Sequence, residues 1–321
     1  MSRLADLQKD LQGAAAAVAH AERTLAAHPD VPSVHATLRA IQSRRASLEE
    51  QFFAAADELG LDACGYRIEM TGSTASISGL TAVLGTFQKI FTTVYDALER
   101  GTKKKTAKNS DKAIADTTLG FAYSFPGSVG VMMTIANDRN LFGAQLDEAM
   151  DKTFQLIRAQ ETEELQSLTD RIGLPALRLV HQWTEENVKA GFGADIVWRR
   201  DDVVKREVRV QLPELAMKAA TLKSMRAEET VVVVGELLDV KVSDHTFSMQ
   251  LGDKIIQGTF DKVISSQNPV QLPKVYQATL KILQKVVVDD TGQEQIDYFL
   301  VRLDPPSEAG VFLTDLSGRD S

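Results

Sequence analysis

The densest group of chemically competent side chains is RGTKKKTAKNSDK, residues 100–112. It places Lys103, Lys104, Lys105 and Lys108 near Arg100 and Lys112, against Asp111 as the one acid. Clustered lysines without apolar periodicity form a solvated connector or a loop that contacts phosphates. No aromatic residue interleaves them, so a stacking platform for single-stranded bases is missing. The chain carries a net charge of −8, so any affinity for a polyanion must come from this local patch.

Two glycine-bearing segments are the next candidates. GSTASISG, Gly72–Gly79, stands between a strand-like and a helix-like segment, where backbone N–H groups can meet a phosphate. It fits neither GxxxxGK[ST] nor GxGxxG, and a strand-to-helix loop with Ser78 as helix cap accounts for it. AGFGAD, with Gly191 and Gly193, reads as a tight turn. An enzyme reading needs these two loops to converge with titratable groups.

Other chemistry is sparse. Cys64 is the lone cysteine, which rules out an intramolecular disulfide and a thiolate metal cluster. His20, His28 and His35 lack a ligand-forming spacing. Glu163–Glu164 and Glu185–Glu186 are adjacent pairs, whose side chains diverge on a helix. His181 stands four residues before Glu185 and reads as a helix-surface residue. No triad, zinc-hydrolase or dinucleotide signature is present, and no pattern asks for a metal or another cofactor. The balance leans away from an enzyme.

The elements that would position these groups are legible from periodicity. Leu4, Leu7, Leu11, Ala14, Val18, Ala21 and Leu25 are spaced by three and four, an a/d seam. Pro29 and Pro32 end that helix. A second helix, with Asp30 or Ser33 expected at its cap, carries Val34, Leu38, Ile41, Arg45, Leu48, Phe52, Ala55 and Leu59. Together they predict an antiparallel, coiled-coil-like hairpin over 1–60, roughly 35–40 Å long. Its outer face needs a covering body, another copy or a protein partner. Arg45 interrupts the seam as an edge residue or a register-setting polar group.

Residues 61–228 read as an α/β body with a mostly antiparallel sheet. Tyr66–Met70 alternates and predicts a strand with one wet face. Leu80 to Leu98 is a strongly amphipathic helix. Thr117–Asn137 holds no charge and breaks at Pro126-Gly127, which predicts a covered β-hairpin. Five short strands between 229 and 304 predict a small β-barrel, SH3-like or OB-like, followed by a flexible tail over 305–321.

The class is therefore α+β. The expected role is a non-enzymatic interaction or scaffold protein that oligomerises or binds another protein through hairpin and barrel. Nucleic-acid association through Lys103–Lys108 and the barrel is the alternative, and an enzyme near Gly72–Gly79 and Gly191–Gly193 the third reading. No run of about 20 apolar residues spans a membrane, and no apolar leader opens the sequence, so a cytoplasmic location is expected.

Overall fold

The computed structural model describes residues 3–70, 75–125, 129–137, 143–200, 202–265, 269–287 and 296–306. It divides into two compact units, Met1–Glu161 with Arg171–Ala220, and Thr162–Asp170 with Thr221–Ser321. The Pro126-Gly127 turn, Gly72, Phe142, the Asp289–Gly292 turn and the tail beyond 306 lie outside the described residues.

The first unit is a five-stranded antiparallel sheet covered on one face by helices and partly on the other by the helical hairpin. Helices α1 (Arg3–Ala27) and α2 (Pro32–Glu58) form that hairpin. Neither Asp30 nor Ser33 caps α2. Its N-cap is Val31, and Pro32 opens the helix, where a missing N–H costs nothing. The sheet runs β2 (Gly120–Ser124), β3 (Val129–Ala136), β1 (Leu61–Met70), β4 (Phe192–Arg200), β5 (Val203–Val210). The charge-free stretch thus supplies two paired strands, as its Pro-Gly break predicts.

Strand β1 begins five residues before the expected Tyr66 and is central, so the expected wet face is absent. Among its residues Arg67 alone is exposed. Leu7, Leu11, Leu48, Phe52 and Phe53 of the hairpin pack with Ala63, Ala122, Tyr123, Phe125 and Met132 on one face. On the other face, α3 (Ile77–Arg100) sets Phe87 against Tyr66 and Phe91 against Trp198. Helix α7 (Leu174–Ala190) adds Trp183, whose Nε1–H donates to the Tyr66 hydroxyl at 3.0 Å.

Helix α3 starts on Ser76, whose hydroxyl accepts from the Gly79 N–H at 3.0 Å. Ser78 is already inside the helix, so the expected cap is displaced by two residues. Gly101 closes α3 in the left-handed conformation, φ +60. Helix α5 (Gly143–Arg158) is tied to the sheet by Asp147–Arg200 and Asp151–Arg206 ion pairs. The shorter helices are α4 (Asp111–Thr117), α6 (Thr162–Ile172) and α8 (Leu212–Ser224).

The second unit holds the five strands of the barrel: β6 (Arg226–Lys241), β7 (Thr246–Leu251), β8 (Lys254–Phe260), β9 (Lys274–Lys285) and β10 (Ile296–Asp304). They close in the order β10-β8-β7-β6-β9. Only the β8–β10 pair is parallel. That order and that closing pair are those of an OB-type Greek-key barrel rather than an SH3-like one. Val233, Leu237, Phe247, Met249, Ile256, Phe260 and Leu280 fill its interior. No helix among the described residues is long and apolar enough to cross a membrane.

Candidate functional site

The lysine loop is not uniform. Lys104 is only 7% exposed. Its ammonium pairs with Asp96, which is fully buried on α3, and donates to the Lys108 carbonyl at 2.8 Å and to Asn109 Oδ1 at 2.7 Å. Ser110 Oγ donates to Asp96 at 2.8 Å and also caps α4. Lys104 N–H bonds the Ile172 carbonyl at 3.1 Å. Gly173, φ +106, leaves room for that approach: a Cβ there would stand 2.2 Å from the Lys104 oxygen. Lys104 therefore belongs to the interior, because a buried carboxylate needs a cation and this one is within reach. Lys105 and Lys108 are exposed and Lys103 is half-buried, so the surface patch is smaller than the sequence suggests.

This pair makes a prediction. Lys104→Ala should destabilise the fold by about 2–3 kcal/mol, since Arg100, Ser110 and Asn109 still surround the site. Lys105→Ala should change stability by less than about 0.5 kcal/mol. Burial pushes the Asp96 carboxyl up, but hydrogen bonds from Lys104 and Ser110 and the nearby cations hold it below the usual carboxylate range. Its contribution is thus complete above the ordinary aspartate pKa of about 3.9 and lost as pH falls through the lower folded value. Urea melts at pH 7 and at pH 3 check both points: Asp96→Asn should flatten the acid side of the stability profile.

The two glycine segments do meet. A Cβ on Gly79 would lie 3.0 Å from Ala190 Cβ and 3.3 Å from Phe192 Cε2, the residues flanking Gly191. The contact is a close approach of α3 to the end of α7, and the groups brought together are apolar. Of the other groups named from sequence, His20, His28 and His35 are exposed on the hairpin. Cys64 is buried and its thiol is pushed up to about 12 by that burial, which leaves it an inert core group. Burial likewise raises the Tyr66 phenol. Among the described residues no group of three His, Cys, Asp or Glu side chains is placed to hold a metal ion.

The hairpin seam is used inside the chain. Leu7, Leu11 and Val18 are buried, while Leu4 and Leu25 are half-buried. Arg45 is half-buried on the α2 seam and donates to Glu49 at 2.7 Å, one turn on. The covering layer that the outer face requires is the sheet of the same chain, for the lower part of the hairpin.

The barrel's two outer sides differ. Strands β7 and β8 present Thr246, Ser248, Gln250, Gln257 and Thr259, with Lys254 and Ile255 at the turn and no outward aromatic ring. The β6-β9-β10 side is apolar at its centre. Val232 is 50% exposed and stands opposite Thr279, while Val301 is 49% exposed and lies at a bulge in β10. Phe299 and Val234 are half-buried on the same side. Ion pairs Lys281–Glu228 at 2.6 Å and Arg226–Asp297 at 3.0 Å border it. The motif reading passed over these residues. Their one signal is the unbroken run Val231–Val234, where a strand with a wet outer face would alternate. No family model, curated protein or solved structure matches the chain.

Proposed function

We propose that this chain is a non-enzymatic interaction protein whose barrel engages a protein partner through the outer face of β6, β9 and β10. The observation that carries the reading is the exposed Val232 and Val301 around half-buried Phe299, bordered by charged pairs. An apolar centre inside a polar rim is the anatomy of a protein–protein contact. The hairpin contributes less than its seam implies, since its lower half packs on the sheet.

Cross-linking mass spectrometry in a native extract tests this. Lys281 borders the face and supplies the reactive amine. The wild-type chain should give cross-links from Lys281 to a defined partner. Val232→Glu and Val301→Glu should abolish them, a charge at an interface centre costing about 2 kcal/mol or more, roughly thirtyfold in affinity. Both variants should melt within about 0.5 kcal/mol of wild type, as surface changes do. Cross-links that survive both substitutions would refute the assignment.

A further inference from the structure

A second feature lies in the first unit and is independent of the barrel. Where α2 meets the sheet, a cleft of about 120 Å³ opens between the hairpin and strand β4. Its floor is Gly65 on β1, where a Cβ would already touch Phe125 and Met132 at 3.4 Å. Tyr123 stands at its inner end. Its ring is held edge-on between Phe52 at 5.2 Å and Phe125 at 5.8 Å. The residue is 1% exposed, and its buried hydroxyl has no hydrogen-bond partner among the described residues. A buried hydroxyl left without an acceptor is costly unless something is built to meet it.

The surrounding charges say what would meet it. Arg67 lies 4.4 Å over the Phe125 ring and Arg199 5.3 Å over the Phe53 ring, so both guanidiniums are braced by aromatic faces at the cleft. Arg67 makes no ion pair among the described residues, and Arg199 has only a loose one with Asp202 at 3.7 Å. Two acids also line the cleft. Glu49 is already neutralised by Arg45, which leaves Asp195 against two arginines. The balance favours an acceptor of single negative charge. Burial, reinforced by Glu49, raises the Tyr123 phenol, so its O–H is a permanent donor.

We propose that this cleft binds a short-chain monocarboxylate. The carboxylate accepts from the Tyr123 hydroxyl and from the guanidiniums of Arg67 and Arg199, while the hydrocarbon end lies on Phe53 and Met132. Size sets the class: an apolar cavity of about 150 Å³ takes benzene, so the occupant here has only a few heavy atoms. Arginine suits the planar carboxylate because its fork can donate two parallel hydrogen bonds.

Isothermal titration calorimetry of the full chain with sodium butyrate tests the proposal. Wild type should bind with a Kd of about 1 mM or tighter, within the ceiling for so small a ligand. Tyr123→Phe removes one oxygen that has no partner, so its melting temperature should be unchanged or higher while affinity falls about tenfold or more. Arg67→Gln, at an exposed position, should weaken binding by a similar factor. Butyramide, the neutral isostere, should bind at least tenfold more weakly than butyrate. No binding tighter than about 10 mM, equal affinity in Tyr123→Phe, or equal affinity for butyramide would each overturn the assignment. Inorganic phosphate binding in preference to butyrate would do so as well.

Discussion

Asp62→Ala is expected to destabilise the first unit by about 3–5 kcal/mol, among the largest effects of any single substitution in this chain. Asp62 is fully buried on β1. Its carboxylate accepts from Arg200 Nε and Nη2, each at 2.8 Å, from Trp198 Nε1 at 3.0 Å and from Asn137 Nδ2 at 2.8 Å. Arg200 is mostly covered and in turn grips Asp147 on α5. Its guanidinium is held above the ordinary arginine range, chiefly by the hydrogen bond to Asp62 and then by that to Asp147. One carboxylate therefore joins the end of β3, the start of β1, the end of β4 and, through Arg200, helix α5. Removing it leaves an indole N–H, an amide and part of a guanidinium without acceptors in a dry site. Each such orphan costs about 1–3 kcal/mol.

Urea denaturation followed by Trp198 and Trp183 fluorescence measures this directly, since the chain's two tryptophans both lie in the first unit. The double variant Asp62→Ala with Arg200→Met should lose much less than the sum of the single changes, because each alone strands the other's partner. A loss below about 1 kcal/mol for Asp62→Ala would mean that water reaches the site and the network holds nothing together.

This network shows where sequence reasoning stops. The hairpin, the long helix α3 and all five barrel strands are legible because each writes its own period, three-four or two, into consecutive residues. Leu61–Gly65 carries no such mark: Asp, Ala and Gly have poor β propensity, and β1 is a strand there only because β3 and β4 flank it. Asp62 finds its partners 75 to 138 residues away. The same holds for Lys104. Three consecutive lysines look alike in sequence, and only the placement of Asp96 on the preceding helix selects the middle one for burial. The carboxylate cleft is assembled from Tyr123, Arg67 and Arg199 on three strands, none of which has a distinguishing neighbour in the chain. Propensity and period are local. Charge compensation and cavities are set by which distant strands the topology makes adjacent.

The barrel offers the complementary case, in which one glycine decides whether the strands can close. Gly258→Ala should destabilise the second unit by about 3 kcal/mol or more, at the top of the range for overpacking. Gly258 faces Tyr298 in the short parallel pairing that closes the barrel, only three residue pairs long. A Cβ at 258 would stand 2.3 Å from the Tyr298 carbonyl oxygen, 2.7 Å from Phe247 Cε1 and 2.8 Å from Tyr298 Cβ. Two of these atoms are fixed by the strand that must approach, so the clash cannot be relieved by a rotamer change. Moving β10 away would open the seam and expose the apolar interior. Gly252→Ala is the control, since its Cβ meets nothing within 4 Å and only its φ of +58 resists substitution, at a cost of about 1 kcal/mol. Amide hydrogen exchange should show protection lost along β8 and β10 in Gly258→Ala and retained in Gly252→Ala. Protection of β8 and β10 equal to wild type in Gly258→Ala would show that the barrel closes without the close approach at this glycine.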